Sequence, residues 1–543
     1  MFRLPGLSLL FFFTLAAPLI AGDHLRELQE AAAQSKTAGW GHWGIDAGKY
    51  STWTTHSNRL IPVYTFGIGL DAVRGKNSVY RDAAAIERLY GRVPEGSLNP
   101  QAEYFDQTDV YRLQRMAADA GKKHIVLIVF DGMDWQTTQA AAIYKSGKVY
   151  DEGRGTGLSF QDYRGVKTDF GFCVTAPHND GTDVDVNSQT IKNPGGTTAG
   201  GYDFHLGGQT PWARDVDGQY LMGKSRQRPH PYTDSASAAA SLTCGIKTYN
   251  DAINVDFEGR QVEPIGQHLQ RRGYAIGVVS SVPISHATPA CGYANNVHRD
   301  DYQDLTRDLL GLPSVAHKSQ PLLGVDVLLG GGFGINAKED KGQGDNFVAG
   351  NKYLTAADQE TIDAARGGKY VIAQRTAGTG GSEALAAGVR AAVEKKQRLF
   401  GFFGTVGGHL PFQTADGNYD PTFNSGTEGP KSAESYKPED IAENPTLADM
   451  TRGALEVLSH DPDGFWLMIE SGDVDWANHA NNLDNSIGAT LSGDEAFRAV
   501  CQWAEQQGRW KDTAVIVTAD HGHYLVLEKP EVLIPPVAAA GGR

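Results

Sequence analysis

Six short, continuous apolar runs limit what this chain can fold into more than any other feature. They are HIVLIVF (124–130), YAIGVVSSV (274–282), VDVLLGG (325–331), RLFGFFG (398–404), FWLMIE (465–470) and TAVIVTA (513–519). Apolar runs of this length, without polar alternation, suit strands buried on both faces. Stretches with helical spacing lie between them, such as EALAAGVRAAVEKKQ (383–397) and TLADMTRGALEVLSH (446–460). The alternation predicts an α/β fold: a doubly wound, mostly parallel central sheet with helices on both faces. The 543 residues are 40% hydrophobic, ample for one large core. We read residues 23–543 as a single α/β domain with loop insertions. One insertion is 165–232, rich in Gly, Asp, Asn and Pro; the other is the polar stretch 411–445. HNDGTDVDVNS in the first resembles a calcium loop but lacks its glycine and terminal glutamate, so we read it as a solvated loop.

Composition narrows the partners. The formal net charge is -15 and no Lys/Arg-rich run stands out, which argues against a nucleic-acid partner. Such a chain repels phosphates at long range. Handling them requires metal ions or a focused basic group to reverse the local field. Residues 1–22 read as a secretory leader: Arg3, the apolar LSLLFFFTLAAPLIA, and small residues near Ala21 and Gly22. An uncleaved anchor is the alternative reading. No later segment is apolar enough to span a membrane, so we expect a periplasmic or extracellular protein. Four cysteines, Cys173, Cys244, Cys291 and Cys501, form no CxxC. Buried thiols and bridges both stay open.

In open α/β sheets ligands gather beyond the carboxyl ends of the strands. The residues directly after the runs are therefore informative. HIVLIVF is followed by Asp131, and YAIGVVSSV leads into ISHATPA with Thr288. FWLMI ends in Glu470, and TAVIVTA in Asp520-His521. One such Asp is more often a helix cap. Four endings of this kind, two of them near histidine, are hard to explain by capping. In ESGDVDWANH, Asp475 and His479 are four apart, on one face of a helix and within reach of one ion, though D-x3-H alone is often a surface pair. Ser235 opens the small-residue run SASAAASLTC. It is either a plain N-cap or a nucleophile at a helix N-terminus, a prepared anion site. Arg299 matches phosphate bidentately, or else pairs with Asp300 or Asp301.

Together, DGM, TDSASAAASLTCGIKTYN, SHATPA…NNVHR, E-x4-D-x3-H and TADHGH resemble the alkaline phosphatase family. They stand in that family's order across most of residues 122–525. The departures are DGMD for the usual DGMG and a long loop before TDSA. The resemblance implies two zinc ions and one magnesium ion. Asp475, His479 and a third histidine would hold the first zinc. Asp131, Asp520 and His521 would hold the second. Asp131, Thr288 and Glu470 would hold magnesium. Ser235 would be the nucleophile and Arg299 the phosphate clamp.

The family takes the third histidine of its first zinc from a segment well after TADH. Here no histidine follows His523, and His523 itself is a poor substitute because it would have to share a turn with His521. The missing segment resembles TTHSNRLIPVYTFGIGLDAVRGKNSVYRDAAAIERLYG (54–91), with its His and hydroxyl residue, strand ending in glycine, turn and helix. The chain thus looks circularly permuted, with His56 as the third ligand. The alternative is a loop histidine in an unrelated extension.

The implied protein is a secreted, metal-dependent phosphomonoesterase. It would act on small phosphate monoesters through a phosphoserine, bind inorganic phosphate, and leave room for a homodimer. A phosphodiesterase on the same metals, or a phosphate-binding protein without catalysis, are the alternatives. A sulfatase would need Cys/Ser-x-Pro-x-Arg, whereas Ala-Ser-Ala follows Ser235.

Overall fold

A computed structural model describes residues 23–196, 200–426 and 432–536. The leader-like residues 1–22 lie outside these. Ten strands form one sheet. In chain order they are β1 (Ile61–Phe66), β2 (Phe105–Asp106), β3 (His124–Phe130), β4 (Thr168–Val174) and β5 (Ala275–Pro283), then β6 (Val327–Gly331), β7 (Tyr370–Gln374), β8 (Arg398–Phe402), β9 (Phe465–Ser471) and β10 (Thr513–Ala519). Across the sheet the order is β7-β8-β6-β5-β9-β3-β10-β1-β4-β2. All six apolar runs are strands of this sheet. The neighbours β5, β9, β3 and β10 pair in parallel. Every residue of these four strands is buried, as their unbroken apolar character requires. The two expected helices form as Gly381–Lys395 and Leu447–Leu458, the latter opened by a Thr446–Asp449 capping box. The fold is an α/β fold with a mostly parallel sheet.

β1 is the exception in direction. It lies antiparallel to both β10 and β4. Chain that precedes a reversed strand arrives at the carboxyl edge of its parallel neighbours, whereas chain preceding a parallel strand arrives at the opposite edge. Reversal of β1 therefore delivers residues 54–60 to the edge where Asp131, Glu470 and Asp520 emerge.

The stretch 165–232 is not loop throughout. Its first part is β4, a full strand of the central sheet. Phe172, Cys173 and Val174 supply buried apolar surface, and Gly171 accommodates the Leu70 and Phe105 side chains. The calcium-like piece is a hairpin, Asp183–Asp185 paired with Thr190–Asn193. All four cysteines are free and buried. Among the described residues no helix is long and apolar enough to cross a membrane.

Two short helices meet at the sheet edge, Ser235–Cys244 and Ala287–Cys291. Ala236, Ala239 and Ala240 of the first share a buried cluster with Ala287, Ala290 and Cys291 of the second. Alanine at these positions lets the helix axes approach closely, and the approach brings Ser235 and Thr288 to the same edge.

Candidate metal centre

The ten residues singled out in the sequence converge on the carboxyl edge. Asp131 follows β3, and Asp520 and His521 follow β10. A fixed scaffold joins these two strand ends: the Gly132 and His521 amides donate to Asp520 Oδ1 at 2.8 and 2.9 Å. Only a glycine at 132 leaves room for the neighbours there; it has φ +72° and a side chain would collide with the His523 ring. His521 Nε2 lies 3.3 Å from Asp131 Oδ1 and 3.4 Å from Asp520 Oδ2. Thr288 Oγ1 donates to Asp131 Oδ2 at 3.4 Å. Glu470 is completely buried and accepts a short hydrogen bond from Ser280 Oγ.

Asp475 and His479 sit one turn apart on helix Asp473–His479, with Nε2 to Oδ1 at 3.4 Å. His56 arrives from the segment before β1. Its Nε2 is 3.0 Å from His479 Nε2 and 3.6 Å from Asp475 Oδ1. The backbone pairing of Ser57 with Gly522 locks this segment to the chain just past β10.

Ser235 is not a cap. Asp234 caps the helix through Ser237 N and so leaves the Ser235 hydroxyl free. That hydroxyl lies 3.2 Å from His521 Nε2 and 3.4 Å from Asp131 Oδ1. Arg299 does not pair with its neighbours Asp300 and Asp301; its Nη1 donates to Asp234 Oδ2 at 2.9 Å. Asp234 thus orients the helix end and the guanidinium together.

The sequence reading set His523 aside, and the structure corrects that. The chain from Asp520 to Tyr524 is not helical, so His521 and His523 share no turn. His523 Nε2 lies 2.6 Å from Asp475 Oδ1. His286 also went unremarked inside SHATPA. It is placed with Asp131 and Glu470 and brings a nitrogen to an otherwise all-oxygen set. The signal for both was available as histidines flanking known strand ends.

The donors form three overlapping groups: His56, Asp475, His521 and His523; Asp131, Asp520 and His521; and Asp131, His286 and Glu470. Asp520 Oδ2, Glu470 Oε1 and the Nδ1 atoms of His56 and His521 are buried with no hydrogen-bond partner. Burial and then the neighbouring carboxylates Asp520, Asp475 and Glu470 push Asp131 well above the ordinary carboxylate range. Burial likewise raises Glu470 to about 8 and Asp520 to about 6. Asp475 is held low against its burial, chiefly by His479, with His523 and His56 adding to it. Burial and nearby His56 depress His521. Converging buried carboxylates with orphaned oxygens, next to imidazoles with unpartnered nitrogens, are the donor set that divalent cations require.

This gives a prediction for stability. In metal-free protein Glu470 and Asp131 bind protons more tightly folded than unfolded. The Glu470 contribution is fully present below the unfolded value near 4.5 and is lost as pH rises through about 8; that of Asp131 has the same sign. His521 and His523 are shifted down, so they add stability as the unfolded histidines deprotonate around 6.5, and that opposing gain is complete about one pH unit higher. Chelated protein should therefore lose thermal stability most clearly from about pH 7.5 to 8.5. Buried acids elsewhere share that sign, so the diagnostic quantity is the midpoint difference between metal-loaded and chelated protein by calorimetry. That difference should widen with pH. A constant difference would show that the carboxylates do not hold the ions.

Carboxylates and imidazoles thus cluster at the edge of a parallel sheet, beside a helix-borne serine and an arginine held by Asp234, the donor types of a metalloenzyme site. A family model for alkaline phosphatase matches residues 205–531, more than half of the chain. The chain belongs to the alkaline phosphatase family. It is 32% identical over 328 residues to alkaline phosphatase H of Pseudomonas aeruginosa, covering 60% of this chain and 63% of that protein. It is 30% identical over 335 residues to the alkaline phosphatase of Escherichia coli, covering 59% and 64%. The chain thus spans a little under two thirds of the length of these relatives. The crystal structure of Thermus thermophilus alkaline phosphatase aligns with 74% of this chain and 60% of its own, at 20% identity and a TM-score of 0.44. Residues 54–91, which carry His56, lie outside the span matched by the family model.

Proposed function

We propose that this protein is an exported, metal-dependent phosphomonoesterase that hydrolyses small phosphate monoesters through a phosphoserine on Ser235. The observation that carries the reading is the position of the Ser235 hydroxyl. It is buried at a helix N-terminus, between the second donor group and an arginine that Asp234 aims. The leader-like residues 1–22 support export.

Asp475, His479 and His56 would hold one zinc ion, with His523 fixing the Asp475 carboxylate. Asp131, Asp520 and His521 would hold a second. Asp131, Thr288 and Glu470, rich in oxygen, suit magnesium. Ions bound there would supply positive charge on both sides of the phosphoryl group, favouring an ionised nucleophile and a charged leaving oxygen.

The chain's own groups do the rest. Arg299 accepts the dianion, two N–H groups on two phosphoryl oxygens. Its grip on Asp234 fixes the plane of the fork. The helix end adds a favourable field for the incoming anion. Ser235 Oγ loses its proton and attacks phosphorus as the bond to the alcohol oxygen breaks. That oxygen takes up a proton and departs as the alcohol. Water then attacks the phosphoserine, returning the Ser235 hydroxyl and releasing inorganic phosphate. Because the arrangement is built to hold a dianion, a diester, which carries one charge, fits it less well.

The observation that residues 54–66 enter the site beside β10 supports a second proposal. The segment that the family carries at its C-terminus stands here near the N-terminus, a circular permutation. Chain ends near each other at a surface make such rewiring compatible with one fold.

The test is hydrolysis of an aryl phosphate monoester and the matching diester by chelated and zinc/magnesium-reloaded protein. Monoester turnover restored by metal is expected. Diester preference would make this a phosphodiesterase, and binding of phosphate without turnover a phosphate-binding protein. Arg299→Ala should weaken inhibition by inorganic phosphate about tenfold to a hundredfold, the loss of a bidentate charged contact. Inhibition at wild-type strength would remove Arg299 from the phosphate site.

A further inference from the structure

A cavity of about 700 Å³ adjoins the chain just past His523 and is lined by none of the metal-centre residues. That volume lies within the range of roughly 300–1,000 Å³ typical of small-molecule sites. Its walls come from the helix after Asp131, from the 212–219 loop, and from the stretches 42–47 and 524–530.

Two tryptophans form one wall. Trp135 is almost fully buried, with its Nε1 on the Gly153 carbonyl. Trp212 lies 5.6 Å away at 51° and touches Phe172 edge-on at 77°. It remains only partly covered, so ring surface faces the cavity. Opposite stands Tyr524, held at φ +61°, with the Arg59 guanidinium 3.7 Å from its ring centre.

The charged lining groups come in opposite signs. Arg59 donates to the Leu525 carbonyl and lies 3.8 Å from Asp134. Asp217 accepts the Gln219 and Tyr220 amides. The exposed Arg214 lies 3.8 Å from Asp151, and His42 lies 3.6 Å from the exposed Glu528. So balanced a lining favours neither a phosphate nor an ammonium. Two buried polar atoms of the wall have no hydrogen-bond partner: His42 Nδ1, and Gln136 Oε1, whose Nε2 is fixed on the Pro211 carbonyl. An aromatic face beside unpartnered polar atoms in a charge-balanced cavity matches a ring with apolar C–H faces and hydroxyl edges. We infer that this cavity binds a neutral polyhydroxylated ring, a sugar.

The experiment uses the whole metal-loaded protein. A panel of glucose, galactose, mannose and N-acetylglucosamine is tested by saturation-transfer NMR and tryptophan fluorescence, with tetramethylammonium chloride as the charged control. At least one sugar should bind. Trp212→Ala and Gln136→Leu should each weaken it about tenfold or more, while turnover of an aryl phosphate without sugar stays within about twofold of wild type. Gln136→Leu keeps the cavity's volume and provides the answer if the tryptophan variant does not fold. The inference is overturned if no sugar binds at ~50 mM, if binding survives Gln136→Leu, or if only tetramethylammonium binds.

Discussion

Ser235→Ala should abolish turnover of an aryl phosphate monoester by roughly 10³-fold or more while leaving the fold and the metal content intact. The two halves of that expectation rest on different observations. The fold is spared because Asp234, not Ser235, caps the helix, and because the positions that follow are already alanine or serine. Alanine is also the best helix former. Metal content is spared because buried carboxylates and imidazoles converge into three donor groups without any help from the serine hydroxyl. Its contacts to His521 and Asp131, at 3.2 and 3.4 Å, are made by a hydroxyl those groups do not need for their own placement. What alanine removes is the side-chain oxygen proposed to bond to phosphorus. Residual hydrolysis would come from direct attack by water on a phosphoryl group still gripped by Arg299. Rapid-quench labelling with a radioactive monoester gives the second readout: wild type should carry acid-stable phosphate on the protein, and the variant none. Turnover near wild type would exclude the phosphoserine route and leave water as the nucleophile throughout. A variant that loses metal as well as activity would instead assign Ser235 a structural part. Asp234→Ala is the useful contrast, because it removes the cap and the Arg299 partner together and should reduce both stability and phosphate binding.

Much of this was legible in the sequence, and the reasons are physical. Parallel strands buried on both faces leave long apolar runs, so six strands announced themselves, and function gathers where such strands end. Asp131, Thr288, Glu470 and Asp520 stand out as candidates for that reason. The i, i+4 spacing of Asp475 and His479 reports one helix face. Edge and mixed strands gave weaker signals. β4, TDFGFCV, has a glycine in its middle and three partly exposed residues at its start, so it reads as loop. Backbone course decided His523. Two histidines with one residue between them diverge on a helix but not in this extended stretch, and local sequence does not distinguish the two. The partner of Arg299 was equally hidden, because Asp234 is 65 residues away and Asp300 is adjacent. Proximity in sequence favoured the wrong carboxylate.

His56→Ala should lower the metal content by one ion per chain, or weaken its binding roughly a hundredfold, and slow turnover in step. Among the described residues His56 is the only donor in the centre from the chain before β3. Its Nε2 approaches both His479 and Asp475, and its ring centre lies 3.8 Å from that of His521. It is mostly buried, its Nδ1 has no partner, and the Trp53 indole N–H holds its carbonyl. A histidine serving only as loop filler would need none of this. Metal analysis after dialysis against a weak chelator separates the readings: loss of one ion supports a ligand, and unchanged stoichiometry with normal turnover would return His56 to the loop and leave His523 as the third nitrogen. His523→Ala supplies the converse. If His56 is the ligand and His523 the support of Asp475, the second variant should weaken the same ion by less. The reversed β1 gives the pair its wider meaning. In a sheet whose other strands run with their carboxyl ends toward the site, a histidine that precedes its strand reaches the site only if that strand runs backwards, and β1 does so. The proposed permutation requires that direction: a segment with a reversed strand closes the same centre from either end of the sequence.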